Sequence, residues 1–184
     1  MDNYIKIYDN VLSEEQCLHY ISLIENTERH PGEFIASDGK SSTSNPEIKD
    51  SEDMTICARY PEELPFLMQT TANLLAKYED EVKCTIPCER LEVFRGRVYR
   101  ENQGHYVTHV DNASPPTYAR MLTILFYLND IYEGGELYFE VQDITIYPRA
   151  GRVVMFPSYW MYKHTAKPSL KGDRYIMRTF VLGI

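Results

Sequence analysis

His109 and Asp111 stand two apart in YVTHVDN, residues 106–112, a run of β-forming residues. On an extended strand that spacing points both side chains to one face, where an imidazole and a carboxylate can converge on one ion. A chain with 5 His and 27 Asp or Glu produces such pairs by chance, so a solvated polar patch is the competing reading and further donors must decide. His164 is a third donor. It lies in WMYKHTAKP, shortly after the apolar run RVVMFP, where a hairpin would return the chain beside the earlier strands. Two imidazoles and one carboxylate make the facial triad of non-haem iron(II), whose remaining positions stay open. Ten residues on, Arg174 opens RYIMRTFVL, in which Arg174, Ile176, Arg178 and Phe180 share a face. A guanidinium among apolar neighbours calls for a carboxylate met through its planar fork. If no protein acid answers Arg174, a ligand acid should; Arg178 reads as the ion-pair partner of an acidic neighbour.

The elements that must position these groups follow from hydrophobic periodicity. YIKIY, residues 4–8, alternates like a short strand. Ser13 and Gln16 form a capping-box pattern ahead of a helix to about Glu25, and a second helix is expected from about Glu62 to Tyr78, with Leu64, Leu67, Thr71, Leu74, Leu75 and Tyr78 as its buried stripe. Residues 30–53 are rich in Ser, Asp, Gly, Lys and Pro with few large apolar groups, which predicts a largely mobile loop, either a lid or disordered. From about Arg90 the chain reads as eight strands punctuated by turns, and MLTILFYL is apolar at both parities, as a strand covered on both faces requires. Such a series of antiparallel strands behind two helices fits a sandwich or jelly roll with helices packed on one sheet.

Composition narrows the function classes. Hydrophobic residues make up 43% of the 184 and charged residues 25%, as in a globular enzyme or binding domain. Net charge is -8 with Lys and Arg scattered, so the basic footprint of a nucleic-acid binder is missing. No apolar run reaches membrane-span length and the first ten residues lack a signal pattern, so no membrane partner and a soluble, cytoplasmic location are expected. Cys84 and Cys88 lack the neighbours of a zinc site, and the four cysteines read as reduced thiols.

From about Leu91 onward the chain resembles the iron(II)- and 2-oxoglutarate-dependent dioxygenases, and within them the prolyl 4-hydroxylase-like group. The resemblance is carried by Tyr99 ten residues before the first ligand, HVD at 109–111, FYLND at 126–130, GGELYF at 134–139, GRVVMFPS at 151–158, His164, and GDRY at 172–175. It implies an α+β protein with a double-stranded β-helix (jelly roll, cupin-like) core. One domain over residues 1–184 is expected, with helical support in 1–88 and the core in 89–184. It further implies that His109, Asp111 and His164 bind iron(II), that Arg174 clamps the distal carboxylate of 2-oxoglutarate with the Tyr127 hydroxyl, and that Tyr99 lies near the co-substrate's chelating end. The implied reaction consumes O2 and 2-oxoglutarate, releases succinate and carbon dioxide and hydroxylates a C–H bond, with ascorbate as reductant. An aspartate at 111, where relatives that halogenate carry a small residue, favours hydroxylation.

Peptidyl proline, in a proline-containing peptide or protein, is the expected substrate. The alternatives are an oxygenase acting on another protein side chain or a free amino acid, and a non-catalytic metal-binding jelly-roll module. Arg120 is a candidate substrate contact or a surface ion pair, and Trp160 a pocket-mouth residue or a packed core indole. His105, two strand periods before His109, should share its face as a supporting or surface group. Gly134 and Gly135 read as turn residues, not a phosphate cradle.

Overall fold

The computed structural model describes residues 4–183. β1 (Lys6–Tyr8) leads into α1 (Glu14–Glu25). The helix starts on the expected reciprocal cap: the Gln16 amide donates to Ser13 Oγ at 3.2 Å and the Ser13 amide to Gln16 Oε1 at 2.8 Å. Then come β2 (His30–Pro31), β3 (Phe34–Ile35), β4 (Ser42–Thr43), β5 (Lys49–Asp50) and β6 (Glu52–Thr55), followed by α2 (Ile56–Arg59) and α3 (Leu64–Val82). The C-terminal half is mostly strand, with short helical turns at Pro115–Thr117 and Trp160–Tyr162: β7 (Arg90–Leu91), β8 (Arg95–Tyr99), β9 (His105–His109), β10 (Arg120–Tyr127), β11 (Leu137–Phe139), β12 (Ile144–Ile146), β13 (Val153–Pro157), β14 (His164–Ala166) and β15 (Arg174–Leu182).

The strands form two facing antiparallel sheets. The larger runs β1-β13-β10-β15-β8-β6-β2, with β7 paired to β15; the smaller runs β12-β11-β14-β9-β5. Helices cover the outer face of the larger sheet, where Tyr20, Ile24, Leu67 and Leu74 pack with Ile124, Phe126, Met155 and Met177. A second core of Leu125, Tyr127, Phe139, Phe156 and Ile176 lies between the sheets. β10 therefore gives alternate residues to two cores, which is why it is apolar at both parities. Among the described residues no helix is long and apolar enough to cross a membrane.

Two expectations need correcting. Residues 30–53 are paired chain: β5 joins β9, β6 joins β8, and β3 and β4 form their own two-stranded ribbon. Composition hid this because backbone pairing to an existing sheet edge needs few apolar side chains. The second helix begins at Leu64 and ends at Val82, and Leu64, expected in its buried stripe, is largely exposed at the first position.

Where β10 ends and β15 begins, Asn129 pins the two chains, its Nδ2 donating to the Asp173 carbonyl at 2.8 Å and its Oδ1 accepting from the Tyr175 amide at 2.9 Å. The clamp fixes the backbone on both sides of Arg174. Asn129→Ala should lower stability by roughly 1–3 kcal/mol through the partners left unmatched. The urea midpoint should fall with the slope unchanged; an unchanged midpoint would show that water replaces the clamp.

Candidate active site

His109 closes β9, His164 opens β14, and the two are direct partners across the antiparallel pairing. Asp111 follows two residues beyond His109, and ligand atoms of the three side chains all lie within 4.8 Å of one another. Asp111 spans the pair, with Oδ1 3.7 Å from His109 Nε2 and Oδ2 3.7 Å from His164 Nε2. Each imidazole has Nδ1 2.9 Å from the carbonyl two residues back, that of Val107 and of Tyr162. An N–H donated there leaves both Nε2 lone pairs facing the carboxylate. Burial, reinforced by His164, holds the His109 pKa well below the usual histidine range, so this ring is neutral and able to ligate at neutral pH. The Thr123 hydroxyl donates to Asp111 Oδ2 at 2.8 Å and is itself 2.9 Å from Ser158 Oγ; Arg120 Nη1 donates to the Asp111 carbonyl at 3.2 Å. Two oriented imidazoles and a restrained carboxylate on one side of a cavity fit iron(II) bound facially, with the opposite side open.

The β9–β14 pairing carries a bulge: His164 faces His109, but Ala166 faces Tyr106, so three steps on β9 match two on β14. The extra residue reverses parity. As a result Tyr106 stacks on the His109 ring, with centroids 3.5 Å apart, while His105 meets the Gln103 and Glu47 carbonyls outside the cavity. The expectation that His105 shares the face of His109 assumed an unbroken strand and is overturned by the bulge.

Beside the triad, between the sheets, lies a cavity of about 550 Å³, in the usual range for small-molecule sites. Arg174 sits in its wall, 2% exposed. Its Nη1 donates to the carbonyls of Gly135 and of Lys167 (2.9 Å for the latter), and its guanidinium stacks over the Tyr99 ring at 4.2 Å. Among the described residues no carboxylate meets it, and the buried Nη2 has no hydrogen-bond partner. Gly134 and Gly135 explain how the turn reaches it: both have positive φ, and a Cβ on Gly134 would stand 2.4 Å from the Pro168 carbonyl oxygen. Tyr99 and Tyr127 are buried in the same lining, and Tyr99 Oη accepts from Arg97 Nη1 at 3.1 Å.

Arg120 also lines the cavity, bound to Glu92 through Nε and Nη2 at 2.8 and 2.9 Å. Trp160 is 72% exposed and absent from the lining. The packed-indole expectation fails because a short helical turn at Trp160–Tyr162 presents the ring to solvent. Lys49, Arg95, Arg97 and Tyr106 went unrecognised in sequence. Arg95 and Arg97 share parity with Tyr99, so the alternation that exposed Arg174 and Arg178 would have exposed them too.

Lys49 Nζ donates to the Glu33 carbonyl at 2.7 Å and lies 3.5 Å from Asp53 Oδ2. Burial, then Arg97, pulls its pKa down to about 6 against the opposing pull of Asp53. Between that value and roughly 10.4 for an unfolded lysine, the unfolded chain binds the extra proton, so stability rises with pH through this window and is lost as pH falls toward its lower end. The advantage of the wild type over Lys49→Met should therefore grow from about pH 7 to about pH 9, by up to ~1.4 kcal/mol per unit. Urea midpoints measure it, and a flat difference would show that Asp53 keeps the ammonium protonated.

Residues 94–182 match the family described as the 2OG-Fe(II) oxygenase superfamily. The human protein named Prolyl 3-hydroxylase 2 is 26% identical over 91% of this chain, which spans 28% of that relative's length. A viral collagen prolyl hydroxylase from Paramecium Bursaria Chlorella virus-1, solved with 2-oxoglutarate, superposes with a TM-score of 0.75 at 20% identity, covering 99% of this chain and 97% of that one. A Trichoplax adhaerens prolyl hydroxylase, solved with a peptide of the hypoxia inducible factor oxygen degradation domain, gives 0.80 at 20% identity, covering 98% and 84%. These structures establish the jelly-roll fold. The matched segment, residues 94–182, contains all three donors and Arg174, and over this segment the chain is similar to the 2OG-Fe(II) oxygenase superfamily, with His109, Asp111 and His164 placed as an iron(II) triad.

Proposed function

We propose that this enzyme hydroxylates proline in a peptide or protein, in the manner of prolyl 4-hydroxylases, as 2-oxoglutarate and O2 are converted to succinate and carbon dioxide with ascorbate as reductant. The observation that carries it is the convergence of His109, Asp111 and His164 at the rim of a cavity whose far wall holds an unanswered guanidinium, Arg174. The names of the three similar proteins above, each a prolyl hydroxylase, support the choice of proline. When bound, iron and 2-oxoglutarate supply the oxidising power for C–H hydroxylation.

The protein's part is to hold and to shield. Arg174 grips the distal carboxylate of 2-oxoglutarate, which accepts from the free Nη2 in the place of a protein acid. Tyr127 adds its hydroxyl, and Tyr99, stacked under Arg174, keeps the fork in plane at the distal carboxylate. Thr123 and Arg120 restrain Asp111 from side chain and backbone. Phe34, Ile35 and Ile48, from the segment ahead of the core, wall the cavity where the substrate enters and exclude water from it. Arg120, held by Glu92, meets the substrate with its remaining edge. Trp160, on an exposed turn outside the lining, contributes at most to a longer peptide.

Succinate release stimulated by a proline-containing peptide, with the mass of one oxygen gained on proline, is the expected result; release without such a product would move the substrate elsewhere. His109→Ala, Asp111→Ala and His164→Ala should each abolish iron(II) binding measured by equilibrium dialysis. Arg174→Ala should keep the iron and weaken 2-oxoglutarate binding by about 10-fold or more; equal loss of iron in that variant would refute this division of roles.

A further inference from the structure

The cavity carries more positive charge than its acids answer. Asp53 is taken by Arg97, at 2.6 Å from both Nε and Nη2, with Lys49 beside it. Glu92 is taken by Arg120. Apart from Arg174, assigned above to 2-oxoglutarate, two cavity-lining guanidiniums remain. Arg178, its side chain 14% exposed, forms the expected ion pair only weakly, 3.7 Å from the engaged Glu92, and among the described residues its buried Nη1 has no hydrogen-bond partner. Arg95 has no ion pair among the described residues, and its buried Nε has no partner either. The two are direct neighbours across β15 and β8. Like charges opposite one another on adjacent strands destabilise a sheet, and the penalty grows when water is removed. Burial, with Arg97 and Arg120 nearby, pulls the Arg178 guanidinium down to about 10.

2-Oxoglutarate cannot answer both ends of this strand. Arg178 lies four residues from Arg174, roughly 13 Å along an extended chain, whereas the carboxyl carbons of a five-carbon diacid are on the order of 5 Å apart. The side chains also diverge: Arg174 stacks on Tyr99 at 4.2 Å and Arg178 on Phe180 at 4.7 Å. We propose that Arg95 and Arg178 form a second carboxylate-binding subsite, which grips an acidic group of the substrate in the cavity that holds the triad. That acid is either the free carboxyl of the target residue or an acidic side chain beside it. The choice of probes rests on the proline assignment.

The test uses the wild-type protein loaded with iron(II) and 2-oxoglutarate without oxygen, titrated calorimetrically with matched pairs. The pairs are N-acetyl-glycyl-proline and its C-terminal amide, N-acetyl-prolyl-aspartate amide and its asparagine counterpart, and N-acetyl-glycyl-alanine and its amide. In at least one proline pair the acid should bind about 10-fold or more tightly than its neutral partner. The pair that shows the preference identifies the source of the carboxylate. Arg178→Met and Arg95→Met should bring the ratio close to one. A preference as large in the alanine pair would uphold the subsite, and an alanine acid that binds more tightly than the proline acid would overturn the proline assignment. Equal or undetectable binding of acid and neutral members in every pair overturns the subsite, and needs no variant to fold. A preference that survives in both variants removes it from Arg95 and Arg178.

Discussion

Taking a guanidinium out of water costs several kcal/mol unless a carboxylate goes with it, and β8 and β15 together turn Arg95, Arg97, Arg174 and Arg178 into a single cavity. Only Arg97 is fully matched there, by Asp53. Much of the surrounding architecture can be understood as managing the remainder. Carbonyls of Gly135 and Lys167 solvate one edge of Arg174, and aromatic faces lie under Arg174, Arg178 and Arg120. Such groups soften the field without neutralising it, so the interior is prepared for anionic guests before any arrive.

The triad is built on the opposite principle. Its side chains are oriented mainly by neutral contacts: backbone carbonyls hold both Nδ1 atoms, a threonine–serine hydroxyl pair holds the carboxylate, and Arg120 reaches only the Asp111 backbone. One side of the cavity is thus a rigid donor set of low charge, and the other a strongly cationic wall. A diacid lying between them can chelate at one end and form an ion pair at the other.

The triad, Arg174 and most of the C-terminal strands were legible in sequence because each rests on a local rule: residues two apart share a face, and turn residues delimit strands; RLEVFRGRVY, read as one strand, is two, β7 and β8. Three features were hidden for physical reasons. The bulge that turns Tyr106 inward and His105 outward arises from pairing between distant strands, which no single strand's alternation reveals. Residues 30–53 are organised by backbone bonds to sheet edges, so their polar composition said little about their order. Trp160 follows a short turn whose direction depends on the sheet below it. Arg95 and Arg97 were legible by parity with Tyr99 but carried no motif to draw notice.

Because His109 and His164 face each other at a single position of the β9–β14 ladder, the ion also reports on strand alignment. A chain in which β14 had slid by one residue would offer Lys163 or Thr165 in place of an imidazole, with its secondary structure nearly intact. Iron would pass over such a misaligned conformer and capture the correct one, adding its binding free energy to the native state alone. Metal availability during synthesis would then influence how much chain matures, as well as how fast the mature enzyme works.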